Sequence, residues 1–105
     1  MMKYEIGKYI LDLKSKPNFL HFVDGSVSER KYVGYSEALE AARMERDEDV
    51  SSGREAEMLK EGKVFIYFTA KWEGESIQMR LHASWALDKD VMQKIHDYDD
   101  RIVFI

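Results

Sequence analysis

Two runs of alternating side chains on either side of Gly74 constrain this chain more than any other feature. Apolar residues stand at Val64, Ile66, Phe68, Ala70 and Trp72 before it, and at Ile77, Met79, Leu81, Ala83 and Trp85 after it. A period of two is that of a β-strand, so the runs predict an antiparallel hairpin. With a loop of even length the two apolar sets share one face, which we expect to pack on the core.

The opposite face of this hairpin carries an unusual set of side chains. It presents Phe65, Tyr67, Thr69 and Lys71 from one strand beside Gln78, Arg80, His82 and Ser84 from the other. Thr, Lys and Glu suffice for a solvated face, so aromatic rings beside an Arg and a His predict that something covers it. Three coverings remain open: another part of the chain, a partner protein or second copy, and single-stranded nucleic acid stacked on the rings.

The segment from Lys3 to Ser15 fits two kinds of structure. Apolar residues at Ile6, Tyr9, Ile10 and Leu13 follow a 3.6-residue period, which favours a helix. The rival interpretation is a strand in which Tyr9, Leu11 and Leu13 alternate. We take the helix as the prediction.

The remaining elements follow from turn and capping signals. In chain order they are strands at 19–23 and 30–35, helices at about 37–47, 52–61 and 88–98, and a final strand at 101–105. Ser52 with Glu55 predicts a capping box, and Asp88 predicts the cap of the last helix. The helix at 37–47 has mostly small apolar side chains, so it must lie close to whatever it covers.

These elements predict one α+β domain spanning residues 1–105. A length of 105 residues with 45% apolar content suits a single core. The predicted order is α-β-β-α-α-β-β-α-β, with a largely antiparallel sheet of about five strands and helices packed mainly on one face.

Composition excludes several classes of protein. The chain has no cysteine, so it has no disulfide, thiolate metal site or cysteine nucleophile, and a reducing compartment is expected. No apolar run is long enough for a signal peptide or a membrane span, so a cytoplasmic location without membrane attachment is expected.

Charge is concentrated in the middle of the chain. The net charge is −4, and residues 36–61 hold nine acidic and four basic side chains. The predicted acidic surface consists of Glu45, Asp47, Glu48, Asp49, Glu55 and Glu57. Such a surface suits a basic partner, as in a nucleic-acid mimic. Interleaved Arg43, Arg46 and Arg54 weaken that interpretation because each can pair with a nearby acid on the same helix.

No pattern specific to catalysis or metal binding is present. The chain has no Gly-rich phosphate loop, no Gly-x-Ser-x-Gly and no HExxH. His96, Asp97, Asp99 and Asp100 have metal-ligand side chains without the spacing of a metal site. We therefore expect no metal, no cofactor and no enzymatic activity.

The sequence favours a small non-enzymatic binding protein, a regulator or inhibitor acting through a protein surface, with a homodimer left open. The expected contact residues are Phe65, Tyr67, Arg80, His82, Gln78 and Lys71. Three alternatives remain: an acidic nucleic-acid mimic, a small enzyme, and a single-stranded nucleic-acid binder using the sheet. The last is disfavoured because the chain has no basic stripe to release counterions from a phosphate backbone.

Overall fold

The computed structural model describes residues 3–17 and 19–105 in eight elements. They are β1 (Lys3–Asp12), β2 (Leu20–Phe22), α1 (Tyr35–Ser51), α2 (Arg54–Lys60), β3 (Lys63–Glu73), β4 (Ser76–Ala83), α3 (Lys89–Tyr98) and β5 (Val103–Phe104). Within these described ranges, no helix combines the length and the apolar character needed to cross a membrane.

The strands form one sheet in the order β2-β1-β3-β4-β5. All neighbouring pairs are antiparallel except β4 and β5, which are parallel. The predicted α+β domain with a largely antiparallel five-stranded sheet is therefore confirmed. The central hairpin also has the predicted register, since Trp72 opposes Ile77 and Phe68 opposes Leu81.

The first element is a strand, so the helix predicted for the N-terminal segment is wrong. β1 pairs with β3 along all ten of its residues and with β2 on its other side. It therefore lies inside the sheet, and both of its faces are covered: Leu11 is buried on one side and Ile6 on the other. Apolar residues on both faces of a strand produce spacings of three and four, which imitate a helical period.

The strand predicted at 30–35 is not formed either. Residues 23–32 follow the outer edge of β1, where the backbone N–H groups of Val23 and Ser28 donate to carbonyls of β1 and Tyr32 forms an isolated bridge with Tyr4. Between successive contacts this segment advances first five and then four residues, from Val23 to Ser28 to Tyr32, while β1 advances two residues each time. A β-ladder requires equal steps on both strands, so no strand forms here. From α1 to β5 the order of elements matches the prediction.

The helices lie on both faces of the sheet, which corrects the expectation that they pack mainly on one. The face with the even residues of β3 and the odd residues of β1 and β4 is termed the α3 face, because Ile95 of α3 packs there with Leu11, Val64 and Ile66. The opposite face is termed the α1 face, because Ala42 of α1 packs there against Tyr67. Both faces are apolar at their centres, so each needs a cover.

The two predicted helix caps have different outcomes. Asp88 caps α3 as expected, since its carboxylate accepts a hydrogen bond of 3.2 Å from the backbone N–H of Val91. The prediction of a capping box formed by Ser52 and Glu55 is wrong. Gly53 is the N-cap of α2, with a φ of +83° and no side-chain cap, and Glu55 is buried instead.

Gly7 leaves room for the ring of Phe68 on the neighbouring strand. A Cβ added at Gly7 would overlap Cζ of Phe68, whose buried ring is centred 5.2 Å from that of Tyr9. We expect Gly7→Ala to lower the free energy of unfolding by roughly 1–3 kcal/mol, as overpacking of filled cores does. Urea denaturation measures the loss. In a Phe68→Leu background the same change should cost less, and an equal cost there would exclude this contact as the cause.

Candidate functional site

The contact surface expected from the sequence lies on the α1 face, and α1 covers its centre. Its six residues are Phe65, Tyr67, Lys71, Gln78, Arg80 and His82. Tyr67 and His82 are each 1% exposed, and Tyr67 packs against Ala42 of α1. Only Gln78 and Arg80 are exposed, while Phe65 and Lys71 are partly buried. Of the three coverings, another part of the same chain is therefore the one observed, and no partner can reach Tyr67 or His82 in this fold.

The buried carboxylate of Asp49 joins α1 to three other elements. It accepts hydrogen bonds from Lys8 Nζ at 2.9 and 3.2 Å, from Arg54 Nε at 2.8 Å and from the Tyr67 hydroxyl at 2.8 Å. Lys8 belongs to β1, Tyr67 to β3 and Arg54 to α2. Lys8 also lies 3.5 Å from the carboxylate of Glu45. Charge-assisted hydrogen bonds of this kind are the strong ones, so Asp49 anchors α1 to the sheet.

Hydrogen bonding determines the ionisation of Asp49 and Tyr67. Burial by itself raises the pKa of the Asp49 carboxyl, but the bonds from Lys8, Arg54 and Tyr67 outweigh it and hold the pKa below its usual range. Burial, together with the hydrogen bond to Asp49 and the charge of that carboxylate, raises the pKa of Tyr67. At neutral pH Asp49 is therefore an ionised acceptor and Tyr67 a neutral donor.

His82 is a buried imidazole with a single hydrogen-bond partner. Its Nε2 lies 3.2 Å from Oγ1 of Thr69, and its Nδ1 has no partner in the described part of the chain. Burial, together with the positive charges of Arg80 and Arg43, lowers the pKa of His82 to about 4. A general base or nucleophile-activating His is oriented by a second hydrogen bond, usually to a carboxylate. The groups around His82 do not supply that bond.

The predicted acidic surface is divided between the interior and the exterior. Asp49 and Glu55 are buried, which corrects their assignment to the surface. Burial raises the pKa of Glu55, although a hydrogen bond with Ser84 opposes the effect. Asp47, Glu48 and Glu57 are exposed, and Glu45 is half-buried.

Each accessible acid of this group lies close to a basic side chain. The pairs are Arg46 with Asp47 at 2.6 Å, Arg54 with Glu48 at 3.6 Å, Lys60 with Glu57 at 3.3 Å and Lys8 with Glu45 at 3.5 Å. The expected pairing within one helix is confirmed for Arg43 with Glu40 and for Arg46 with Asp47. It is wrong for Arg54, which lies in α2 and pairs with Glu48 of α1. A nucleic-acid mimic needs carboxylates that its partner can neutralise, so this arrangement does not favour one.

Two aspartates at the end of α3 are used locally, and the first, Asp97, accepts a hydrogen bond of 2.9 Å from the side-chain amide of Gln93. Asp99 accepts hydrogen bonds from the guanidinium of Arg101 at 3.0 and 3.1 Å and from its backbone N–H at 2.9 Å. Across residues 3–17 and 19–105, no three His, Asp or Glu side chains are grouped to hold a metal ion.

The α3 face is covered at one end and open at the other, although the sequence assigned its whole length to the core. At the open end the exposed fractions are 38% for Trp72, 45% for Ile77 and 44% for Met79, and Phe22, on the edge strand β2 in the row of Tyr9 and Ile66, is 45% exposed. These four residues are termed the open sheet patch. Trp72 opposes Ile77 in the ladder, and Tyr9 connects the other two, with its hydroxyl 3.7 Å from Sδ of Met79 and its ring centre 5.8 Å from that of Phe22.

The open sheet patch exists because α3 is too short to cover the hairpin. Ten helical residues span about 15 Å, whereas the eleven residues of β3 span about 36 Å. Even a helix aligned with the strands would leave more than half of β3 uncovered. The difference in length between the predicted helix and the predicted strands was the signal that sequence reasoning missed.

Comparison with known proteins adds nothing to these observations. No protein-family model, no curated protein and no solved structure matches the chain.

Proposed function

We propose that this chain is a small non-enzymatic binding protein, a regulator or inhibitor whose open sheet patch docks a protein partner. The observation that carries the proposal is the exposure of four large apolar side chains, Phe22, Trp72, Ile77 and Met79, on one sheet face whose Trp72 end is covered by no helix of the described residues. Contiguous apolar patches mark interaction sites, and Trp, Phe and Met are enriched at interfaces.

The surroundings of the patch define the kind of partner it suits. Glu5 and Lys31 form an ion pair on the same face, in the row of the sheet that also contains Met79. An apolar centre with a charged rim is the usual anatomy of a protein interface. The partner is therefore expected to contribute an apolar projection bordered by polar groups.

Site-specific photo-crosslinking tests this function. A photoreactive residue at Ile77, used in the cells that make the protein, is expected to give a discrete protein adduct. The same residue at Trp85 is the control, because Trp85 is 63% exposed but lies outside the patch. Trp72→Ser should abolish the adduct while the domain remains folded. Equal crosslinking from both positions, or an adduct that persists in Trp72→Ser, would refute the proposal.

A further inference from the structure

The outer edge of β4 is unpaired over most of its length. β5 pairs with β4 only at His82 and Ala83, so in the described part of the chain no strand lies beside residues 76–81 on that side. The free stretch Ser-Ile-Gln-Met-Arg-Leu contains no proline and one charge. Edges of this kind are templates for pairing with another strand unless they are blocked.

The backbone groups that this edge offers can be identified. The carbonyl of Ala83 accepts a hydrogen bond of 2.8 Å from the N–H of Ile105, so the backbone of Ala83 faces outward toward β5. Backbone groups alternate in direction along a strand. The N–H and C=O groups of Ile77, Met79 and Leu81 therefore point toward the open edge, and those of Gln78 and Arg80 point toward β3.

A groove of about 470 Å³ runs beside this edge, and its lining holds the Arg80 guanidinium together with Asp99 and Arg101, which pair with each other at 3.0 Å. Met79, Arg80, Leu81, Arg101, Val103 and Tyr35 contribute to its walls. The Arg80 guanidinium stacks on the Tyr35 ring at 4.6 Å, and no described carboxylate pairs with it. The tip of the β3–β4 hairpin has the opposite charge, since Glu73 and Glu75 flank Gly74.

We propose that a second copy of this chain occupies the groove, pairing its β4 antiparallel with the first across a two-fold axis at Gln78. This register uses the whole free edge of β4. Leu81, the last residue of β4 that is not paired with β5, then opposes Glu75 of the other copy. The acidic hairpin tip of each copy approaches Arg80 in the groove of the other, and the contact is closed and self-complementary, as a two-fold interface must be.

The register also predicts the side-chain contacts. On the α3 face Ile77 opposes Met79 of the other copy, so the two open sheet patches merge. On the α1 face Arg80 opposes the small side chain of Ser76, and Glu73 lies one strand further, about 10 Å away at two strand spacings. Arg and Glu side chains together bridge that distance. This inference rests on the proposed function, because it identifies the protein partner of the open sheet patch as a second copy of the chain.

Disulfide trapping tests the register, because the chain has no cysteine of its own. Gln78 meets its counterpart as a pair without hydrogen bonds to each other, with Cα atoms about 4.5 Å apart, within the range for a disulfide. We expect Gln78→Cys to form a covalent dimer rapidly under mild oxidation. Gln93→Cys, on the exposed side of α3, is the matched control. Equal rates for the two variants would overturn the proposal.

A charge exchange separates this inference from the proposed function, since it changes no residue of the open sheet patch. We expect light scattering to give twice the monomer mass for the wild type, and the monomer mass for Arg80→Glu and for Glu73→Arg. The variant with both changes should dimerise again. A wild type that is monomeric at every concentration, or a double variant that stays monomeric, would overturn the dimer. An adduct at Ile77 with a different protein, retained in Arg80→Glu, would still support the proposed function.

Discussion

Asp49→Ala is expected to lower the free energy of unfolding by about 3–5 kcal/mol, the cost of breaking a buried ion pair by removing one partner. The substitution leaves the Tyr67 hydroxyl buried without its acceptor and removes the nearest counter-charge of Lys8, whose side chain is 15% exposed. A domain of ordinary stability has 5–15 kcal/mol in total. The variant should therefore unfold at a much lower urea concentration than the wild type.

Two further variants show whether burial of the carboxylate is the cause. Glu48→Ala removes the neighbouring carboxylate, whose side chain is 69% exposed and lies 3.6 Å from the half-exposed Arg54, and we expect a loss below about 1 kcal/mol, as for surface ion pairs. Tyr67→Phe removes one of the donors and should cost about 1–2 kcal/mol. In a double-mutant cycle the losses for Asp49 and Tyr67 should not add, because they share one hydrogen bond. An Asp49→Ala variant as stable as Glu48→Ala would exclude an anchoring role.

The sequence could predict the central hairpin because its pattern is local. Ten apolar residues at a period of two leave one arrangement of the faces, and the observed register follows from it. The same reasoning failed for β1, which has neighbours on both sides and covers on both faces. Its neighbours, β2 and β3, are not identifiable from its own residues, so the period of its apolar side chains was misleading.

The burial of Asp49 had a signal in the sequence. Ala38, Ala42, Arg46 and Asp49 are the buried residues of α1, at spacings of four, four and three. That spacing is one helical stripe, and it continues the apolar stripe into charged residues. An acid on the buried stripe of a helix requires partners, and Lys8 and Tyr67 supply them from strands that are distant in sequence.

The relative lengths of α1 and α3 determine which face of the sheet is left partly uncovered. α1 has seventeen residues, about 26 Å, and Asp49 fastens its C-terminal part to the sheet. It buries the aromatic face from which the sequence predicted binding. α3 has ten residues and leaves the end of the other face open. The candidate binding surface is therefore on the face that the sequence assigned to the core.

His82 is expected to make the domain less stable as the pH falls from 6.5 toward 4. The unfolded chain binds a proton on this His near its ordinary pKa of 6.5, whereas the folded chain binds it only near its lowered pKa of about 4. In this interval protonation favours the unfolded state, so the stability is complete above pH 6.5 and is lost as the pH decreases. The contribution over the whole interval is roughly 3 kcal/mol.

A comparison of variants isolates this contribution from that of Glu55, whose raised pKa gives a slope of the opposite sign above its ordinary value of 4.5. Urea denaturation between pH 4 and 7 should show a smaller loss on acidification for His82→Gln, which keeps a polar partner for Thr69 but does not titrate. His96→Gln is the matched control, because His96 is exposed on α3, and it should retain the wild-type slope. Parallel curves of stability against pH for the wild type and His82→Gln would contradict a neutral imidazole buried beneath α1. They would mean that His82 is already protonated in the folded chain or is accessible to water.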